Sequence, residues 1–215
     1  MDLATFANQH STPAPPLLEG LARATWQRTR HGRLMTDGHT GRVIAAISQM
    51  MQPRTILELG TFTGYGTLCL LEGLHPEGTL HTVERNDELF AVQDEFWQQA
   101  EGGHRIRRHH MDALDFLHQW DETRNGSIDL AYVDADKQNV NAQLDALLPM
   151  LSEHGSLLFD NTWWGGTLYS EEDGSAGTGA KADALRQLNE RLMNDPDLRT
   201  VTLPVGDGLS LVRMA

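Results

Sequence analysis

The sequence is poor in cysteine and lysine and has no long apolar run. One cysteine, Cys69, excludes an internal disulfide framework and a cysteine-based zinc cluster. No stretch approaches the roughly 20 apolar residues that span a bilayer. The opening "MDLATFANQH" lacks the basic and long apolar regions of a secretory signal. A cytoplasmic location with no membrane partner is the expectation. Of the 17 lysines and arginines only Lys137 and Lys181 are lysine, and the net charge is −13. A surface this acidic repels a phosphate backbone, so no nucleic-acid partner is expected. Acidic excess with few lysines suits a protein adapted to high salt; an arginine-favouring genome gives the same pattern.

A chain of 215 residues, 40% hydrophobic and 22% charged, has the length and composition of one soluble α/β domain. From residue 54 short apolar runs alternate with helical patterns. Strands are expected at 55–60, 78–85, 104–112, 128–134 and 155–160, with helices at 64–74, 87–100, 113–120 and 139–151. Such alternation builds a mainly parallel sheet with helices on both faces. A last helix (184–193) precedes strands 199–205 and 209–214, which "GDG" joins as an antiparallel hairpin at the sheet edge. Two helices, about 16–30 and 38–51, form an N-terminal cap (1–53) on the core (54–215), within a single domain. The Gly-, Ser- and acid-rich segment 165–181 reads as a mobile loop.

The first strand–turn–helix, "ILELGTFTGYG", has glycines at 60, 64 and 66. Glycine turns at that place let the backbone approach a ligand closely. The dinucleotide pattern G-x-G-x-x-G is not met, since Phe62 and Tyr65 stand where glycines belong. Glu58 precedes the turn and Glu84 ends the next strand, where a carboxylate can accept both hydroxyls of a ribose. A nucleoside-containing cofactor follows from the two together.

Asp134 ends the fourth strand, and Asp160 with Asn161 ends the fifth. Each residue type is a common helix cap or turn former. On adjacent strand ends, about 5 Å apart, the three converge into a hard all-oxygen site that suits Mg²⁺. Asp136 is expected to cap the next helix, leaving Lys137 beside the metal, where a lysine gives up its proton more readily and can act as a general base. Trp163 and Trp164 follow Asn161 and could wall a planar substrate. His109 and His110 point to opposite faces of their strand and do not chelate together. Cys69 reads as a small core residue. No nucleophile elbow is visible.

"ILELGTFTGYG", "TVERN", "YVDADK", "FDNTWWGG" and "LPVGDGLSL" occur in the order and spacing of the cation-dependent class I O-methyltransferases. From about Met35 onward the chain resembles the catechol and caffeoyl-CoA O-methyltransferases, and most of all their small bacterial members. The resemblance implies a Rossmann-like seven-stranded sheet, mostly parallel, with an antiparallel last strand. It implies S-adenosylmethionine as cofactor, a divalent cation, and a small phenolic acceptor with vicinal hydroxyls. Cofactor-binding roles fall on Glu58, Gly60, Thr61, Gly64, Tyr65, Gly66, Thr67, Glu84, Arg85, Met111, Asp112, Ala113 and Asp134. Metal-ligand roles fall on Asp134, Asp160 and Asn161, the general base on Lys137, and the substrate pocket on Met35, Trp163 and Trp164. Gly66 departs from a serine that many members use at the methionine end, so backbone groups or Thr67 are expected to compensate. Members commonly pair, so a homodimer is the assembly the resemblance admits. A nicotinamide-dependent oxidoreductase and a non-catalytic cofactor-binding module remain open beside this reading.

Overall fold

The computed structural model describes residues 3–168 and 179–215. The 169–178 part of the expected mobile loop lies outside the described residues. Seven strands form one sheet: β1 Thr55–Leu59, β2 Thr79–Glu84, β3 Ile106–His110, β4 Ile128–Val133, β5 Leu151–Asp160, β6 Leu198–Leu203 and β7 Leu209–Met214. Their spatial order is β3-β2-β1-β4-β5-β7-β6. The first five pair in parallel, and β7 runs antiparallel to both β5 and β6. The expected hairpin therefore closes that end of the sheet, with β7 inside and β6 at the edge. The chain reverses its direction of winding between β1 and β4, which is where ligands bind in open α/β sheets.

Eight helices accompany the described strands: α1 Leu3–Gln9, α2 Pro16–Arg28, α3 Gly38–Met51, α4 Tyr65–Leu71, α5 Phe90–Trp97, α6 Ala113–His118, α7 Val140–Leu147 and α8 Ala180–Asn194. Strand alternation divides the core in two. Leu57, Leu59, Val133, Leu157 and Phe159 face Phe116 of α6, Leu144 of α7 and Leu185 and Leu188 of α8. Ile56, Leu80, Leu130, Tyr132 and Leu158 face Leu21 of α2, Ile44 of α3, Leu70 of α4 and Phe96 of α5. Each such leucine or isoleucine contributes about 1.5–3 kcal/mol by leaving water. The N-terminal helices share this second core with the sheet.

Several boundaries differ from the sequence reading, each for a local reason. Helix α1 was not expected; its "LATFANQ" has too few apolar positions to show a face. The 87–100 helix opens with a tight turn, Asp87–Leu89, capped by the Asn86 side chain. Helix α7 ends at Leu147 and tightens into a 3-10 turn, Leu148–Met150, because Pro149 has no amide hydrogen to continue the helical bonding. Strand β5 starts at Leu151, before Gly155, with an irregularity in its pairing between Ile128 and Leu130. Cys69 is a fully buried core residue, and burial pushes its thiol up to about 12.

Candidate active site

Gly60 turns the chain sharply after β1, at φ +91°. A Cβ there would lie 2.4 Å from the Asp134 carbonyl oxygen, so only glycine lets the two strand ends meet. The Gly60 amide donates to the Val83 carbonyl (3.0 Å) and the Asp134 amide to the Leu59 carbonyl (2.8 Å). These bonds extend the sheet ladder one step past the strands and hold three strand ends together. Glu84 accepts from the amides of Phe62 and Asn86, both at 2.8 Å, so one carboxylate shapes the loops after β1 and β2.

Across the sheet, Lys137 is buried and donates to Asp134 Oδ1 (2.8 Å) and to the Asp160 carbonyl (3.0 Å). Asp160 is 6% exposed. Its Oδ1 accepts from the Asn161 amide (2.7 Å) and its Oδ2 from the Tyr132 hydroxyl (2.5 Å). Burial, reinforced by the Asp134 charge, pushes the Asp160 carboxyl up to about 6. Burial and the same aspartates push the Tyr132 phenol well above its ordinary value. Asn161 is left-handed at φ +58°, a conformation asparagine tolerates better than most residues.

A cavity of about 700 Å³ lies over the strand ends. Of the residues assigned from sequence, Gly60, Glu84, Arg85, Met111, Asp112, Ala113, Asp134, Lys137, Asp160, Asn161, Met35 and Trp164 line it. Asp112 also caps α6, accepting from the Leu114 amide at 2.8 Å.

Seven others do not line it. Glu58 is buried beneath the first loop, where the Thr67 and Thr82 hydroxyls each donate to it at 2.5 Å. Desolvation pushes its carboxyl up to about 8. Thr61 bonds the Thr82 hydroxyl (2.5 Å), so Thr61 and Thr67 face this buried network. Gly64 lies under the Trp97 indole, and Gly66 lies between Glu58 and Tyr132. Tyr65 packs on Gly41 of α3. The indole of Trp163 covers Gly208 at the hairpin turn, so Trp163 braces the turn and Trp164 alone of the pair reaches the cavity. Asp136 needs correcting too. It stands at the head of the Lys137–Asn139 turn but makes no capping bond, because its carboxylate accepts from the Asn139 side chain (3.0 Å). His109 and His110 do diverge. His109 meets His81 of β2 (2.9 Å between ring nitrogens), and the His110 ring lies 3.2 Å from the Arg85 carbonyl.

Sequence reasoning missed Thr36, Phe62, Lys181 and Asp207, which also line the cavity, and Tyr132, which lies beneath it. Asp207 could have been suspected from its place in the "GDG" turn. It accepts from the Gly165 amide (2.6 Å), tying the hairpin to the loop after Asn161.

No three His, Cys, Asp or Glu side chains cluster as a metal site among the described residues. The donor set here is two carboxylates and an amide. Its electrostatics suit a cation, since the charge of Asp134 raises the Asp160 carboxyl and Lys137 is the only buried cationic side chain among the described residues.

A family model described as O-methyltransferase matches residues 8–215. Tapetum-specific methyltransferase 1 of Arabidopsis thaliana is 30% identical over 99% of this chain and 90% of its own length. The flavonoid 3',5'-methyltransferase of Vitis vinifera is 30% identical over 91% and 86%. Among solved structures, the O-methyltransferase TomG of Streptomyces achromogenes, in complex with SAM, superposes with a TM-score of 0.86 at 22% identity, over 99% of this chain and 96% of its own, and so shares the fold. The oxidoreductase and non-catalytic readings fall with these matches. The chain belongs to the O-methyltransferase family, whose enzymes take their methyl group from S-adenosylmethionine.

Proposed function

We propose that this enzyme methylates one hydroxyl of a small aromatic molecule carrying two adjacent hydroxyls, with a divalent cation, Mg²⁺ by the hardness of its donors, held by Asp134, Asp160 and Asn161. The observation that supports it is the meeting of these three side chains with Lys137 in one cavity, at the mouth shared with Gly60 and Glu84. When bound, S-adenosylmethionine supplies an activated methyl group, and a cation supplies positive charge that lowers the pKa of a hydroxyl beside it.

The chain's own residues do the rest. The Gly60 turn presents main chain to the cofactor at the cavity edge, and Glu84 offers its remaining lone pairs to the ribose hydroxyls. Met111, Asp112 and Ala113 border the base, and Met35 and Trp164 flank the acceptor ring. Lys137 receives the acceptor's proton at Nζ. Its anchorage by Asp134 and the Asp160 carbonyl fixes that nitrogen at the cavity floor. Holding two reactants in attack geometry can save roughly 7–11 kcal/mol of barrier. Two adjacent oxygens on one ring suit the site because both can share one cation, which fixes the ring.

Labelled-methyl transfer from S-adenosylmethionine to a panel of catechols and matched monophenols, with Mg²⁺ or with chelator, tests this reading. Turnover of catechols that chelator abolishes supports it. Equal turnover in chelator would remove the cation, and turnover of monophenols alone would remove the vicinal diol.

A further inference from the structure

Tyr132 has no role in the reading above, yet it is bonded to the most buried acid that lines the cavity. It is 1% exposed, in the middle of the sheet. Register sets it opposite Leu158, and Asp160 follows two residues later on the same strand face. Side chains diagonal across two strands on one face are within reach of each other when one is long. The phenol spans that diagonal, and its hydroxyl lies 2.5 Å from Asp160 Oδ2. A buried tyrosine hydroxyl needs a partner, and this one gives its single proton to the carboxylate. The other carboxylate oxygen is held by the Asn161 amide, so each oxygen of Asp160 has one fixed donor.

The surroundings leave the phenol little freedom. A Cβ at Gly66 would come 3.1 Å from Tyr132 Cε1 and 2.9 Å from Glu58 Oε1, so a glycine at 66 gives the ring edge its space. Thr36, from the segment between α2 and α3, places its hydroxyl 3.3 Å from the phenol oxygen, on the cavity side. The ring is therefore clamped between α4 and the N-terminal cap.

We infer that Tyr132 is a positioning residue for the cation site: its hydroxyl fixes the Asp160 carboxylate in the orientation that receives the metal. This rests on the metal reading proposed above. Without the hydroxyl, Asp160 keeps only its bond to the Asn161 amide and rotates more freely, so the bound arrangement must be selected from several. Partners of metal ligands that orient them in this way are typically worth 10–100-fold in metal affinity.

Titration calorimetry of Mg²⁺ into the full-length wild type and Tyr132→Phe, without acceptor, tests the assignment. The variant keeps the ring and loses only the hydroxyl. Its Mg²⁺ affinity should fall by about 10–100-fold, while its affinity for S-adenosylhomocysteine stays within about twofold of wild type. Its kcat should recover at high Mg²⁺. Equal Mg²⁺ affinity in the two proteins overturns the assignment and leaves the metal reading intact. Parallel losses of Mg²⁺ and S-adenosylhomocysteine binding also overturn it, since they report general damage. A wild type that binds no Mg²⁺ removes the metal reading and the assignment together. Thermal melts in chelator give an independent check. Tyr132→Phe combined with Asp160→Ala should lose no more than Asp160→Ala alone does, because the phenol acts through that carboxylate. Additive losses in the two variants overturn the proposal.

Discussion

Replacing Lys137 with alanine should move stability, cation affinity and turnover in three distinguishable ways. Lys137 is buried and holds Asp134 Oδ1 at 2.8 Å, with the partly exposed Asp134 and the buried Asp160 on either side. Without it, two carboxylates face each other uncompensated. Breaking a fully buried pair costs about 3–5 kcal/mol; with Asp134 at 20% side-chain exposure, about 2–4 kcal/mol is expected. For a domain of this size that corresponds to a melting point lower by roughly 4–16 °C in chelator. Mg²⁺ should close most of that gap, because the cation supplies the missing charge. Its affinity should rise, since a competing positive charge has gone. A unit charge about 5 Å from a divalent one is worth about 7 kcal/mol at an effective dielectric near 20 and about 2 kcal/mol in water, and with Asp134 partly exposed a rise of at least about 10-fold is expected. Turnover at saturating Mg²⁺ should still fall by roughly 10²–10⁴ and recover partly at high pH, where the acceptor ionises unaided. Differential scanning fluorimetry in chelator and in Mg²⁺, calorimetry, and rates across pH 6–10 measure all three. Wild-type turnover in Lys137→Ala, or in Lys137→Arg, whose guanidinium does not readily lose a proton, would refute the base assignment. An unchanged melting point in chelator would refute the charge argument.

Glu84→Ala should weaken S-adenosylmethionine binding by roughly 1.5–3 kcal/mol and leave the Phe62 and Asn86 amides unpaired; unchanged affinity by calorimetry would remove Glu84 from the site. Gly60→Ala should lower the melting point by about 10 °C or more, since its Cβ would meet the Asp134 carbonyl at 2.4 Å and φ is +91°, and a soluble variant melting like wild type would contradict that clash. Burial pushes the His81 imidazole down to about 4 from an ordinary 6.5, so its contribution is complete above pH 6.5 and is lost as the pH falls toward 4. The partly exposed ring limits this to about 1–2 kcal/mol; His81→Gln should lose less stability than wild type between pH 7 and pH 5, and an identical loss would exclude His81 as the cause. A net charge of −13 should make the fold at least as stable in 1 M sodium chloride as at low salt, where the screening length is about 3 Å against about 30 Å at 0.01 M; a lower melting point in high salt would count against it.

The chain alone spelled out the alternation of strands and helices, because apolar runs bounded by Gly, Pro and Asp are local signals. It also located Asp134, Asp160 and Asn161, because a parallel sheet brings its strand ends to one edge whatever the helices do. Which neighbours face the cavity depends on packing between elements distant in the chain. Trp163 and Trp164 are adjacent and chemically alike. Only packing against the Gly206–Gly208 turn sends one to the hairpin and leaves the other at the cavity. Glu58 and Glu84 both lie beside the first loop, yet one is sealed under it by Thr67 and Thr82 and the other lines the cavity. Tyr132 carries no sequence mark that separates it from an ordinary core tyrosine. Its bond to Asp160 depends on the register between β4 and β5, and a shift of one residue would turn it to the opposite face. Register is a property of two strands far apart in sequence, here joining residues 28 positions apart, and no local pattern encodes it.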